Sequence, residues 1–168
     1  MRFYFTRMRS KDICPPRQPL KKIVWSWIGA FCGIYLVASL ANYMSENLVD
    51  TMFVIGSFGA SAVLVYGAPL AEFSQPRNLI GGSVLSALIG VAVYQVCGDY
   101  VVLASALAVS LSIAFMYLTR TLHPPGGATA LIAVIGGENV HQLGFLYALM
   151  PVFLGSVLLL LVALVVNN

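Results

Sequence analysis

Polar and apolar positions do not alternate along this chain; long apolar runs are separated by short polar breaks. The runs span about Ile23 to Tyr43, Thr51 to Leu70, Leu79 to Val96, Val101 to Leu118, Pro124 to Ile135 and Leu143 to Val166. Five have about the length a helix needs to cross a bilayer, whereas a membrane β-strand would alternate with period two over about ten residues. The fifth run, Pro124 to Ile135, would rise only about 18 Å against a hydrocarbon core of about 30 Å. It either starts inside the membrane or does not cross. The predicted fold is all-α: a polytopic helical membrane protein with six hydrophobic segments.

Composition narrows this further. The chain has 168 residues, 60% hydrophobic and 9% charged, with a mean hydropathy of +0.90; a soluble domain carries about 25% charged residues. A water-soluble globule is excluded, and residues 23–168 form a single transmembrane domain. Ahead of it, residues 1–22 hold Arg2, Arg7, Arg9, Lys11, Arg17, Lys21 and Lys22 against Asp12, a local charge of +6 in a chain whose net charge is +3. Beside an apolar run, such a segment reads as a cytoplasmic anchor that prefers anionic headgroups, not as a grip for nucleic acid. Ser39, Leu40 and Ala41 end the first run with small residues, but the run exceeds the roughly 7 to 15 residues of a signal-peptide core. Cys14, Cys32 and Cys97 are odd in number and lack ligand spacing, so they read as packing thiols; no metal and no cofactor is expected.

Charge also chooses the topology. With six crossings and the N-terminus inside, Arg77, Arg120 and the basic N-terminal segment share the inner face, and the outer loops carry Glu46, Asp50, Asp99 and Glu138 without Lys or Arg. A four-crossing arrangement, with the second and fifth segments as re-entrant hairpins, would send Arg77 and Arg120 outside. Six crossings are therefore preferred. Trp25 and Trp27 then mark the inner interface, and Tyr43, Tyr94, Tyr100 and Tyr147 the outer one. The expected location is a bacterial inner membrane or its organelle equivalent.

The sequence also matches itself. Gly59, Ala60, Ser61 and Ala62 return as Gly127, Ala128, Thr129 and Ala130 at an offset of 68, and Gly82, Ser83, Val84 and Leu85 return as Gly155, Ser156, Val157 and Leu158 at an offset of 73. Two repeats result, at about 23–97 and 101–168. Three crossings per repeat make the halves antiparallel, the inverted plan in which short broken helices, here the second and fifth segments, meet near the midplane and form a site. The plainer alternative is that small residues only let helices approach closely.

In the second half, Pro124 and Pro125 force an extended approach through His123 and an abrupt helix start. Beyond them the amides of Gly126, Gly127 and Ala128 are expected to lack partners within the helix, with Thr129 one turn on. Ser57, Phe58, Gly59, Ala60 and Ser61 occupy the matching place in the first half, with Ser57 as an N-cap. Two such tips facing each other, each worth about half a positive charge, suit one small monovalent anion and are too weak for a bare polyanion. None of the six acidic residues lies inside an apolar segment, which argues against a cation site. His123 is the one titratable group near the helix break and is a candidate to bind the anion when protonated or to carry a coupled proton; otherwise it caps its own turn. Arg77, Asn78 and Arg120 are candidates for an inner pore mouth, and the two arginines also suffice as topology determinants. His141 reads as an outer-loop residue.

At these residues the chain resembles the HPP family of integral membrane proteins. His123, Pro124, Pro125, Gly126, Gly127, Ala128, Thr129, Ala130 and Leu131 match the motif that names it. Ser57 to Leu64 and Gln75, Pro76, Arg77, Asn78 are similar to its other characteristic stretches. The resemblance implies a transporter or channel for nitrite or a similar small anion, because members from cyanobacteria and chloroplasts are associated with nitrite transport. It also departs in places. The family is often described with four membrane helices, the motif's fourth residue is often Ala where this chain has Gly126, and a histidine is common where this chain has Ser83.

The reading that results is a non-enzymatic carrier or channel for a small monovalent anion, nitrite first, working as a dimer or trimer because six short helices hardly seal a path alone. Two other classes stand beside it: a membrane scaffold or subunit that moves nothing, and an intramembrane hydrolase with Ser61 as nucleophile and His123 as base.

Overall fold

Glycine and proline punctuate the apolar runs, and several helices begin or end at them, as at Pro76, Gly98, Pro124 and Gly136. In a computed structural model, which describes residues 16–44 and 56–167, the described residues form seven helices and no strand. They are α1 (Leu20–Met44), α2 (Gly56–Gly67), α3 (Arg77–Cys97), α4 (Val101–Thr119), α5 (Pro124–Ile135), α6 (Glu138–Leu143) and α7 (Ala148–Val166). Among them α1, α3, α4 and α7 are long and apolar enough to cross a membrane, while α2 and α5 are short apolar helices. The expectations for Cys14, Glu46 and Asp50 fall outside the described residues.

Local chemistry explains the boundaries. Pro76 opens α3, whose first turns from Arg77 to Gly82 are widened to π geometry. Proline also breaks the last segment, expected as one continuous run from Leu143. Gly144 takes a positive φ of 51° after α6, and Met150 is extended ahead of Pro151, so regular helix resumes only beyond it. Tyr147, expected in the outer aromatic belt, is instead fully buried and donates its hydroxyl to the Thr129 carbonyl at 3.1 Å.

Contacts fix the helix directions. The Arg77 side chain reaches the Thr119 carbonyl at 2.6 Å, so α3 starts where α4 ends. Along α3, Gly82 faces His123, Gly90 faces Ala130 and Ala133, and Tyr94 stacks on His141 at 3.8 Å between ring centroids, so α5 runs beside α3 in the same direction. In contrast, α2 runs toward the start of α3. Its last turn accepts hydrogen bonds from Ser26 near the start of α1, from Ser74 just ahead of α3, and from Asn167 just after α7. Arg17, Lys21, Lys22, Arg77 and Arg120 all gather at this end, together with Glu72, while Asp99 and Glu138 sit at the other.

The packing crosses the two halves. α1 and the end of α2 pack on α7, α4 and α5 pack on α3, and α3 meets the start of α7 between them. The two halves show similar burial patterns. Gly29, Gly33, Val37 and Ala41 form the buried stripe of α1, and Ala104, Ala108, Ser112 and Met116 that of α4. From Gly56 to Ala62 and from Pro124 to Ala130, exposure follows the same order position by position. The four-residue spacing presents one narrow face of small side chains, which lets backbones approach closely where lipid supplies no hydrophobic drive between helices.

Candidate functional site

The site is built by a chain reversal at the end of α4. Arg120 takes the left-handed conformation at φ 58°, and the amides of Arg120 and Thr121 return to the Tyr117 and Met116 carbonyls at 3.2 and 2.9 Å. This closes the helix in a Schellman turn and sends the chain back inward. Two side chains of α3 hold the returning strand: Arg77 on the Thr119 carbonyl and Asn78, whose Nδ2 donates to the Leu122 carbonyl at 2.8 Å. Asn78 is buried, so it acts as a clamp on this segment and does not line an open mouth, whereas Arg77 and Arg120 are exposed. His123 then lies beside Gly82, five residues along α3 from Arg77.

Before Pro124 the backbone of His123 is extended, at φ −136° and ψ 103°, and its side chain is 0% exposed. It does not cap its own helix. Nδ1 lies 2.8 Å from the Phe73 carbonyl, and Nε2 lies 2.9 Å from Ser61 Oγ. A carbonyl only accepts, so Nδ1 carries a hydrogen and neutral His123 receives the Ser61 hydroxyl hydrogen on Nε2. Ser61 Oγ also stands 3.3 Å from the Ser57 carbonyl. Once Nε2 is protonated it donates to Oγ, and the Ser61 hydrogen turns toward Ser57. The same heavy-atom positions therefore serve both protonation states.

At the α5 tip the structure departs from the expected bare amides. The His123 amide points at Met116 Sδ at 3.5 Å, Pro124 and Pro125 have no N–H, and the Gly126 amide donates to the His123 carbonyl at 2.8 Å. The first donors of this helix are accounted for internally, leaving its dipole and no spare hydrogen through Gly126. Gly126 answers a packing need instead: a Cβ there would stand 2.7 Å from Ser86 Oγ. Thr129 Oγ1 donates to the Pro125 carbonyl four residues back at 3.3 Å, the same spacing at which Ser61 Oγ stands from the Ser57 carbonyl.

Among the remaining predicted residues, Ser57 lies within α2 and not at its cap, since the helix already includes Gly56. Phe58 is buried against Gly155 as core. Gly59 and Ala60, like Gly127 and Ala128, lie along the outer faces of their helices, with no neighbour among the described residues within 4 Å of a Cβ built at Gly59 and Val109 at 3.7 Å from one at Gly127. The structure thus brings Ser61 and His123 together and leaves the glycine pairs on open faces. His141, set apart as a loop residue, is pinned by Tyr94 and by the Val134 carbonyl. The Phe73 carbonyl and Met116 escaped the sequence reading: a backbone oxygen leaves no mark in sequence, and Met116 looks like any lipid-compatible side chain. Among the described residues no group of three or more His, Cys, Asp or Glu is placed to hold a metal.

Residues 15–168 match the model of the HPP transmembrane region. Two transmembrane proteins of Dictyostelium discoideum are similar to the chain. One is 45% identical over 169 aligned positions, covering 98% of this chain and 53% of the relative, and the other 47% identical over 162, covering 94% and 56%. The chain therefore spans about half the length of these curated relatives. No solved structure matches it.

Proposed function

The chain belongs to the HPP transmembrane family, and from that premise we propose that it carries a small monovalent anion across the membrane, with proton movement linked to anion binding through His123. The observation that carries this reading is the Ser61 Oγ contact with both His123 Nε2 at 2.9 Å and the Ser57 carbonyl at 3.3 Å. With His123 neutral, the Ser61 hydrogen is held by the imidazole. Protonation reverses that bond and swings the Ser61 hydrogen to its longer 3.3 Å contact with the Ser57 carbonyl, from which it can turn to an anion, while the imidazolium supplies compensating charge and the α5 dipole adds a favourable field. Anion binding and proton uptake then favour each other. Nitrite is the first anion to test, on family resemblance alone, followed by nitrate, formate and chloride.

The reading includes two inverted three-helix repeats. The opposed directions of α2 and α5, the crossed packing and the matched burial of the two halves are what such repeats would produce. The gathering of described basic residues at one end supports a cytoplasmic N-terminus. The open faces at Gly59 and Gly127 support assembly into a dimer or trimer. The test is anion-dependent flux in proteoliposomes. Flux that rises as pH falls and loses that dependence in His123→Gln and Ser61→Ala is the expected result; absence of flux for all four anions ends the proposal.

A second reading rests on the same contact, since a serine 2.9 Å from a histidine nitrogen is also the start of a hydrolase. Its third group would be the Phe73 carbonyl, and both side chains are almost fully buried, Ser61 at 3% and His123 at 0%. Labelling of Ser61 by a fluorophosphonate would favour this reading over transport.

A further inference from the structure

A groove of about 690 Å³ opens at the basic end between the start of α1, the end of α2, the loop before α3 and the end of α7. Lys21, Lys22 and Trp25 line its α1 side, and Leu160 and Leu164 line its α7 side. The other polar side chains that line it are engaged: Ser26 donates to the Tyr66 carbonyl at 2.7 Å, Asn167 to Val65 at 3.0 Å, Ser74 to Leu64 at 3.0 Å and Gln75 to Pro69 and Ala71 at 3.2 Å each. Lys21 and Lys22 form no hydrogen bond or ion pair with any described residue. Two ammonium groups with no counter-charge among the described residues therefore stand beside an apolar wall at the level where tryptophan marks a membrane interface.

We propose that this groove binds an anionic phospholipid of the adjoining leaflet, its phosphate on Lys21 and Lys22 and an acyl chain along Leu160 and Leu164. The volume lies in the range of small-ligand sites, and only an amphiphile satisfies both the charged rim and the apolar wall. The nearby N-terminal segment of the chain is a poor occupant on charge. Residues 1–14 hold Arg2, Arg7, Arg9 and Lys11 against Asp12, a net +3 that would repel the two lysines. A lipid seated here would touch both α1 and α7, which come from opposite halves of the chain, and would brace the Val65–Tyr66 turn that ends α2.

Trp25 and Trp27 are the two tryptophans of the chain, so Trp27→Phe leaves Trp25 as a reporter at the groove. The protein in nanodiscs is titrated with phosphatidylglycerol or phosphatidylcholine brominated equally on the acyl chains, and Trp25 fluorescence is read. Quenching by the anionic lipid should exceed that by the zwitterionic one by about twofold or more at equal mole fraction. That excess should vanish in Lys21→Gln/Lys22→Gln, persist in Lys21→Arg/Lys22→Arg and persist in Arg17→Gln. Equal quenching by the two lipids overturns the proposal, as does loss of the excess in Arg17→Gln, which would mean diffuse surface attraction. Inorganic phosphate abolishing the excess would reassign the lysines to a free anion.

Discussion

Replacing Gly90 by alanine probes how closely α5 is pressed on α3, and hence what holds His123 in place. A Cβ at Gly90 would stand 2.5 Å from the Ala130 carbonyl oxygen, 2.8 Å from Ala133 Cβ and 2.9 Å from Ala130 Cα. Most of these are backbone-fixed atoms of a helix and cannot swing aside. Ordinary contact begins near 3.4 Å, so α5 must withdraw by about 0.9 Å, in a core that resists small displacements. Taken along the His123–Ser61 bond, that shift stretches 2.9 Å to about 3.8 Å, beyond hydrogen-bond range. Overpacking costs about 1–3 kcal/mol and an unpaired buried nitrogen about 1–3 more, offset by about 0.5–1 for the better helix former. The expected net loss is about 1–5 kcal/mol. Gly59→Ala is the control, because no atom lies within 4 Å of its Cβ position and only the propensity gain of about 0.5–1 kcal/mol applies. Reversible unfolding of both variants in mixed micelles makes the comparison. Gly90→Ala unfolding within about 0.5 kcal/mol of the parent, or Gly59→Ala proving equally damaging, refutes the reasoning.

Asn78→Ala removes the donor to the Leu122 carbonyl and should cost about 1–3 kcal/mol in the same unfolding assay. Ser112 Oγ is buried without a partner, so Ser112→Ala should stabilise by about 1 kcal/mol, read as a higher melting temperature. Gly33→Ala would drive its methyl into the Tyr66 hydroxyl, which donates to the Leu159 carbonyl at 3.0 Å. The loss should shrink when Tyr66→Phe is added, a coupling that a double-mutant cycle measures.

The sequence shows much of the scaffold and less of the site. Runs of apolar residues and the recurrence of Gly59–Ala62 at Gly127–Ala130 mark the segments, because hydrophobic length and small-residue spacing are written locally. Pro124 and Pro125 announce the break before α5 for the same reason. What a donor finally bonds to is not local. The spare-amide expectation at Gly126 failed because the chain supplied its own acceptor, the His123 carbonyl, just as Met116 Sδ of α4 takes the His123 amide. Tyr147 misled through its amphipathic ring, which marks an interface as readily as a satisfied core position. The crossed packing was equally hidden, since small residues say that a helix can approach another but not which one.

That crossing bears on how the protein is made. α3 finds its partners only once α4 and α5 have been synthesised, and α1 with α2 must wait for α7, the last of the seven helices. During biosynthesis the first two segments have only each other and lipid to pack on until the remainder of the domain has emerged. Separately expressed fragments cut between α3 and α4 should accordingly find each other in the membrane, because each carries the third helix that the other lacks.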